Sequence, residues 1–289
     1  MNKTILITGA DGQLGQELQL LSKSYIHNFI FSNKDTLDIT DSSKVDLFFE
    51  QNKIDVIINC AAYTSVDMAE KNQEIAYSVN YYAVKKLAQI AQKYSIKLIH
   101  ISTDYVFDGK NFEPYTEEDI PKPCGVYGTS KYLGEQSIIN INPQNSIIIR
   151  TAWVYSYFGS NFVKSILRLA RDKDFLNVIY DQVGTPTYAK DLAKLLLEIS
   201  PKINNEKVEI FHYSNEGVLS WYDFAKEIMK MAKLNCKINP IETYQYPTPA
   251  KRPHFSLLNK NKIKSTFNIE IPYWKDGLDD CLRRLGERR

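Results

Sequence analysis

Cysteine is scarce in this sequence and never clustered: Cys60, Cys124, Cys236 and Cys281 stand alone, with no Cys-x-x-Cys pair and no Cys/His grouping. That spread argues against a metal site or a disulfide framework, and it fits free thiols in a reducing cytoplasm. Long apolar runs are missing too. Nothing approaches the roughly 20 residues that a membrane helix needs, and the first apolar run, TILIT, ends too early to be the core of a signal peptide. Arginine supplies only 8 of the 36 basic residues, and the net charge of +2 is not gathered into a basic stripe. Nucleic acid is therefore a poor candidate partner. These absences point to a cytoplasmic protein with no metal, membrane or nucleic-acid partner.

The remaining composition is that of an ordinary globular chain, with 44% hydrophobic and 24% charged residues over a length that suits one large domain or two modest ones. Short apolar runs at 4–8, 29–32, 55–59, 97–102 and 146–150 have the length of strands buried on both faces. Helical patterns alternate with them, at 13–23, 42–52, 73–94 and 127–140. Strand, helix, strand in repetition predicts an α/β fold, a doubly wound parallel sheet of the Rossmann type. After residue 150 the rhythm loosens, with helices expected at 161–171, 188–199, 220–233 and 274–285. The expected division is a dinucleotide-binding domain over 1–150, to which segments within 176–200 return, and a smaller substrate-binding lobe over 151–289.

The first strand runs into TGADGQLGQEL, which spaces Gly9, Gly12 and Gly15 three apart before a helix. A diphosphate can approach the backbone closely only where no Cβ intervenes, and so tight a turn favours residues that tolerate positive φ. A plain glycine turn is the alternative, but the position between an apolar strand and an amphipathic helix is what dinucleotide binding requires. At the end of the second strand a carboxylate would favour the ribose of NAD, and a cation the 2′-phosphate of NADP. The chain has Asn33 and Lys34 there. NADPH is therefore the expected cofactor, with Asp35 keeping NADH as the alternative.

Residues 126–136, VYGTSKYLGEQ, set Tyr127 four places before Lys131, which puts both on one helix face. The spacing alone is weak, because it recurs at Tyr81/Lys85, Tyr82/Lys86 and Tyr222/Lys226. Only Tyr127 has a hydroxyl residue, Thr103, 24 positions upstream at the end of a strand. The glycine loop, the Ser102-Thr103-Asp104 strand end and Tyr127-x-x-x-Lys131 together resemble the extended short-chain dehydrogenase/reductase family. Five further stretches narrow the likeness to its nucleotide-sugar reductases: NCAAYTSVDMAE (59–70), STDYVFDGK (102–110), RTAWVY (150–155), DQVGTPT (181–187) and YPTPAKRPHFS (246–256).

The resemblance implies NAD(P)H-dependent reduction of the C4 ketone of a dTDP-sugar, dTDP-4-dehydro-L-rhamnose, with Tyr127 as proton donor, Lys131 as its electrostatic partner and Thr103 holding the substrate oxygen. Gly12, Gln13 and Leu14 would meet the cofactor diphosphate, Asp38 and Ile39 its adenosine side, and Ala62, Tyr63 and Thr64 the nicotinamide. Thr103, Asp104, Trp153 and Arg252 would meet the sugar nucleotide. The oligomeric state stays open, a homodimer being one option. Other residues carry plainer readings: Trp153 as core, Asn80 as a solvated polar residue or a helix-kinking asparagine, and His100 as a packed core histidine. Glu135 reads as a weak helix-surface partner, and CLRRLGERR (281–289) as a solvated helix end. Two alternatives remain, a nucleotide-sugar epimerase or dehydratase of the same superfamily, and a non-catalytic subunit resembling the regulatory partner of methionine adenosyltransferase. Tyr105 stands where dehydratases carry an acid.

Overall fold

Runs rich in Ile and Val fold as strands that bury both faces, and the longer amphipathic stretches cover them as helices. The computed structural model describes residues 2–288. Its first part comprises β1 (Thr4–Thr8), α1 (Gln13–Ser22), β2 (Asn28–Ser32), α2 (Ser42–Gln51), β3 (Val56–Asn59), α3 (Val66–Ala69), α4 (Gln73–Tyr77), α5 (Ala83–Tyr94), β4 (Lys97–Thr103), α6 (Val126–Ile141) and β5 (Ile147–Thr151). The second comprises β6 (Val154–Tyr155), α7 (Phe162–Asp172), β7 (Phe175–Ile179), β8 (Val183–Gly184), β9 (Thr187–Tyr188), α8 (Ala189–Ile199), β10 (Glu209–Tyr213), β11 (Leu219–Ser220), α9 (Trp221–Ala232), β12 (Lys237–Ile241), α10 (Asn261–Phe267) and α11 (Trp274–Arg284). No helix among the described residues is long and apolar enough to cross a membrane.

Six strands form one parallel sheet in the order β10-β5-β4-β3-β1-β2. A strict division at residue 150 does not describe this sheet, since its edge strand β10 comes from residues Glu209–Tyr213. Helix α8 also lies on it: Leu192, Leu195, Leu196 and Ile199 share one core with Ile5, Ile7, Ile58 and Ile149. On the opposite face Leu6, Ile57, Leu98 and Ile148 meet residues of α2 and α5 and Ile138 of α6. A separate core joins α7, α9 and α11 through Leu167, Phe224, Ile228 and Leu278.

The pleat decides what lies under α6. Two residues beyond the apolar row Leu6, Ile57 and Leu98, on the same face because strand side chains alternate, stand Thr8, Asn59 and His100, which are paired across the strands. Ser102, Arg150 and His212 make a second polar row on β4, β5 and β10. Helix α6 turns Lys131 and Glu135 toward these rows, and all of these side chains are buried.

Two expectations about helices change. The single helix expected over 73–94 is interrupted by a π-helical turn at Ser78–Tyr82. This turn carries Asn80, which is fully buried rather than solvated. Of the expected solvated end at 281–289, Arg289 lies outside the described residues, and the helix before it is anchored: Cys281 and Leu282 are in the core, and Arg284 donates to both oxygens of buried Glu17, at 2.8 and 2.9 Å. Glu17 lies in α1 beneath the second lobe and also accepts from Ser156 Oγ at 2.7 Å. A carboxylate removed from water needs such partners, and the last helix supplies the charge.

Candidate active site

The glycine loop is built as its spacing requires. Gly9 has φ +67°, and a Cβ there would fall 2.6 Å from Ala61 N; at Gly15 a Cβ would fall 2.4 Å from the Gly9 carbonyl oxygen. Side chains at either position would fill the space between strand, loop and helix. Ala10 N donates to Ser32 O at 2.9 Å, and Asn33 Nδ2 to Asp11 Oδ2 at 2.7 Å, so the loop is tied to the end of β2.

Beyond the carboxyl ends of the strands lies a cleft in two joined parts, which share Gly9, Gly12, Cys60 and Ala62 in their walls. One part, of about 720 Å³, is lined by Asn33, Lys34, Asp38, Ile39 and Tyr63. The other, of about 530 Å³, is lined by Gln13, Leu14, Gly15, Thr64, Thr103, Asp104, Tyr127, Lys131 and Trp153. The structure thus brings together along one cleft all the residues singled out from sequence except Arg252. A dinucleotide fits this arrangement: the glycine cradle has no Cβ in the way, and the cleft runs from Lys34 to Tyr127.

Thr103 ends β4 and Tyr127 lies in the first turn of α6. That helix begins at Gly125 without a side-chain cap of its own, and Glu70 Oε1 accepts from Val126 N at 2.8 Å instead, placing a carboxylate at the helix N-terminus. Asn80 fixes the neighbouring wall, since its Oδ1 accepts from Tyr63 N at 2.9 Å while its Nδ2 donates to Tyr63 O at 3.0 Å and Ser130 Oγ at 3.1 Å. The π turn lets one side chain reach both elements.

Burial pushes the Tyr127 hydroxyl up to about 12; the Thr103 hydroxyl beside it acts the other way and the Asp104 charge adds to the rise. Thr103 Oγ1 also donates to Asp104 Oδ1 at 3.0 Å. Asp104 is buried, its Oδ2 has no hydrogen-bond partner among the described residues, and burial raises its pKa to about 6. Lys131 lines the same part of the cleft as Tyr127, and its hydrogen bonds run to β4. Its Nζ donates to Ile101 O at 2.5 Å and lies 3.3 Å from His100 Nε2. Burial brings it down to about 8, partly offset by Glu135 and Cys60.

Three further residues depart from their expected settings. Glu135 is not a surface partner: it accepts from Arg150 Nε at 3.0 Å and Nη2 at 2.7 Å and from Ser102 Oγ at 2.5 Å, wholly inside the protein. Its place one turn beyond Lys131 on α6 hid this, because the partners come from strands 33 and 15 residues away. Trp153 is half-buried, has φ +49°, and stacks on Trp221 with centroids 3.6 Å apart, so it is both cleft wall and packing residue. Arg252 is held by Asp67, with Nη1 to Oδ1 at 3.1 Å and Nη2 to Oδ2 at 2.7 Å. Asp67 is a residue the sequence reading missed.

A parallel sheet with a glycine cradle at its first turn and Thr, Tyr and Lys side chains at the far end of the cleft defines an enzyme of the short-chain dehydrogenase/reductase class. The family model described as RmlD substrate binding domain matches residues 2–287, and the chain belongs to that family. A dTDP-4-dehydrorhamnose reductase of Aggregatibacter actinomycetemcomitans is 43% identical over 284 residues, covering 95% of this chain and 96% of that protein. Among solved structures, a dTDP-4-dehydrorhamnose reductase of Clostridium acetobutylicum superposes with a TM-score of 0.94 at 40% identity, over 98% of this chain and 99% of that one. One from Bacillus anthracis, in complex with NADP, gives 0.93 at 36% identity over 98% and 99%.

Proposed function

We propose that the protein reduces the C4 ketone of dTDP-4-dehydro-L-rhamnose to dTDP-L-rhamnose with NADPH, Tyr127 donating the proton. The observation that carries this reading is the meeting of Thr103, Tyr127 and Lys131 in the wall of the cleft that starts at the glycine cradle. Relatives that cover nearly the whole chain and bear the name of this reductase support it. They also favour it over an epimerase, which would return the hydride, and over a non-catalytic subunit, which would need no such set.

Gly9, Gly12, Gln13, Leu14 and Gly15 would hold the diphosphate of the cofactor, Asn33, Lys34, Asp38 and Ile39 its adenosine end, and Ala62, Tyr63, Thr64 and Lys131 its nicotinamide side. Bound there, NADPH supplies the hydride that reduces the ketone. The chain supplies the rest. Reduction leaves the substrate oxygen in need of a proton, and the Tyr127 hydroxyl, held protonated by burial, donates it. Thr103 orients that oxygen, and the Lys131 ammonium stabilises the resulting phenolate. Asp104 and Trp153 contact the sugar.

Initial rates with saturating sugar nucleotide test the cofactor assignment. NADPH should be used in preference to NADH, because Lys34 suits a 2′-phosphate and Asn33 offers no carboxylate to a 2′-hydroxyl. A tenfold preference for NADH would contradict that assignment.

Arg252 would meet the substrate diphosphate through the donors of its fork that Asp67 leaves unengaged. Arg252→Ala is therefore expected to raise KM at nearly constant kcat, a loss on the order of 1.5–3 kcal/mol. Steady-state kinetics of the folded variant checks this, and an unchanged KM would remove Arg252 from the substrate site.

A further inference from the structure

Behind Lys131 runs a row of polar side chains for which the reduction itself has no use. Thr8, Asn59 and His100, on β1, β3 and β4, are each no more than 1% exposed. They are joined end to end: Thr8 Oγ1 donates to Asn59 Oδ1 at 2.6 Å, Asn59 Nδ2 meets His100 Nδ1 at 2.9 Å, and His100 Nε2 meets Lys131 Nζ at 3.3 Å. Burial holds the imidazole neutral, its pKa well below the ordinary value, and the Lys131 charge acts in the same direction.

A neutral imidazole has one N–H and one lone pair, so it cannot offer the same group to an amine and to an ammonium. With the Asn59 NH2 donating to Nδ1, the ring proton sits on Nε2 and points at Lys131, which can accept it only as an amine. With the amide turned over, the Asn59 oxygen accepts from Nδ1–H, its NH2 donates to Thr8 Oγ1, and the Nε2 lone pair receives a proton of the ammonium. The contacts among Asn59, His100 and Lys131 are complementary in both arrangements. The difference is one amide rotation, one hydroxyl turn, the passage of a proton from Nζ to Nε2 and the loss of the Nδ1 proton to solvent.

We infer that His100 is the positioning residue for Lys131, and that the Thr8–Asn59–His100 chain reverses its hydrogen-bond direction as Lys131 passes between ammonium and amine. Nζ thereby keeps one position in both states, since Ile101 O, 2.5 Å away in the structure, can accept from an ammonium or an amine. The other ionisable groups facing Lys131 are Glu135 on its own helix, paired with Arg150 of β5, Cys60 after β3, and Tyr127 one turn earlier. Burial lifts both the Cys60 thiol and the Tyr127 hydroxyl to about 12, so neither changes state where Lys131, at about 8, does. The inference holds whichever sugar nucleotide the enzyme takes.

The test is the tautomer of His100, read from the 15N shifts of its two ring nitrogens in histidine-labelled protein; the chain has only four histidines. The ring should carry its proton on Nδ1 at about pH 6 and on Nε2 at about pH 10, crossing where Lys131 titrates. In Lys131→Met it should keep one tautomer throughout. Asn59→Asp, which can only accept from Nδ1–H, should abolish the crossing and move the basic limb of kcat/KM upward by about one pH unit, a tenfold change in the proton affinity of Lys131. A single tautomer at every pH in the parent protein, or a crossing that persists in Lys131→Met, would overturn the inference, and neither result bears on the substrate assignment.

Discussion

Tyr127→Phe is expected to lower turnover by roughly 10²–10⁴ while leaving the fold intact. The ring remains, so its edge-on contact with Tyr105, centroids 5.4 Å apart, is preserved, and only the hydroxyl beside Thr103 is lost. In the proposed reaction this removes the group that gives the substrate oxygen its proton. Tyr81, Tyr82 and Tyr222 provide the control, since each precedes a lysine by four residues yet does not line the part of the cleft that holds Thr103, Tyr127 and Lys131. Their Phe variants should stay within a few-fold of the parent. Steady-state rates and thermal melts on the four proteins check this. A fully active Tyr127→Phe, or a Tyr222→Phe equally impaired, would show that the wrong tyrosine has been chosen.

The largest loss of stability is expected from Arg150→Met. Arg150 and Glu135 are 1% and 0% exposed and joined by two hydrogen bonds of 3.0 and 2.7 Å. Removing the guanidinium leaves a carboxylate in the interior with Ser102 alone as donor, at a cost of about 3–5 kcal/mol. Turnover should fall as well, because Glu135 ties α6, which carries Tyr127 and Lys131, to β4, which carries Thr103. Arg150→Met with Glu135→Leu removes both charges and should recover most of the stability. Denaturant unfolding of the parent, single and double variants measures this. A single variant as stable as the parent would mean that the pair does not hold the helix to the sheet.

The features that sequence made legible are those set by local pattern. Strand runs, the strand, loop and helix at Gly9–Gly15, and the position of Thr103 before Tyr127 each follow from neighbours in the chain or from a fixed spacing. What sequence concealed depends on partners that only the folded sheet brings together. Glu135 reads as a surface residue until β4 and β5 place Ser102 and Arg150 against it. His100 reads as one polar residue in an apolar strand until the register sets it beside Asn59 and Lys131. Arg284 reads as part of a charged tail until α11 lies across Glu17. The π turn at Ser78–Tyr82 has no periodic signal, since it is held by what Asn80 bonds in Tyr63 and Ser130.

Isotope transfer distinguishes net reduction at C4 from every other use of the cleft. The protein is incubated with dTDP-4-dehydro-L-rhamnose and NADPH deuterated at the transferable position of the nicotinamide, and the sugar nucleotide is analysed by mass spectrometry and NMR. Net reduction gives dTDP-L-rhamnose bearing one deuterium at C4, formed in step with the NADPH consumed. A sugar nucleotide that keeps its ketone, with NADPH left unoxidised, would contradict it.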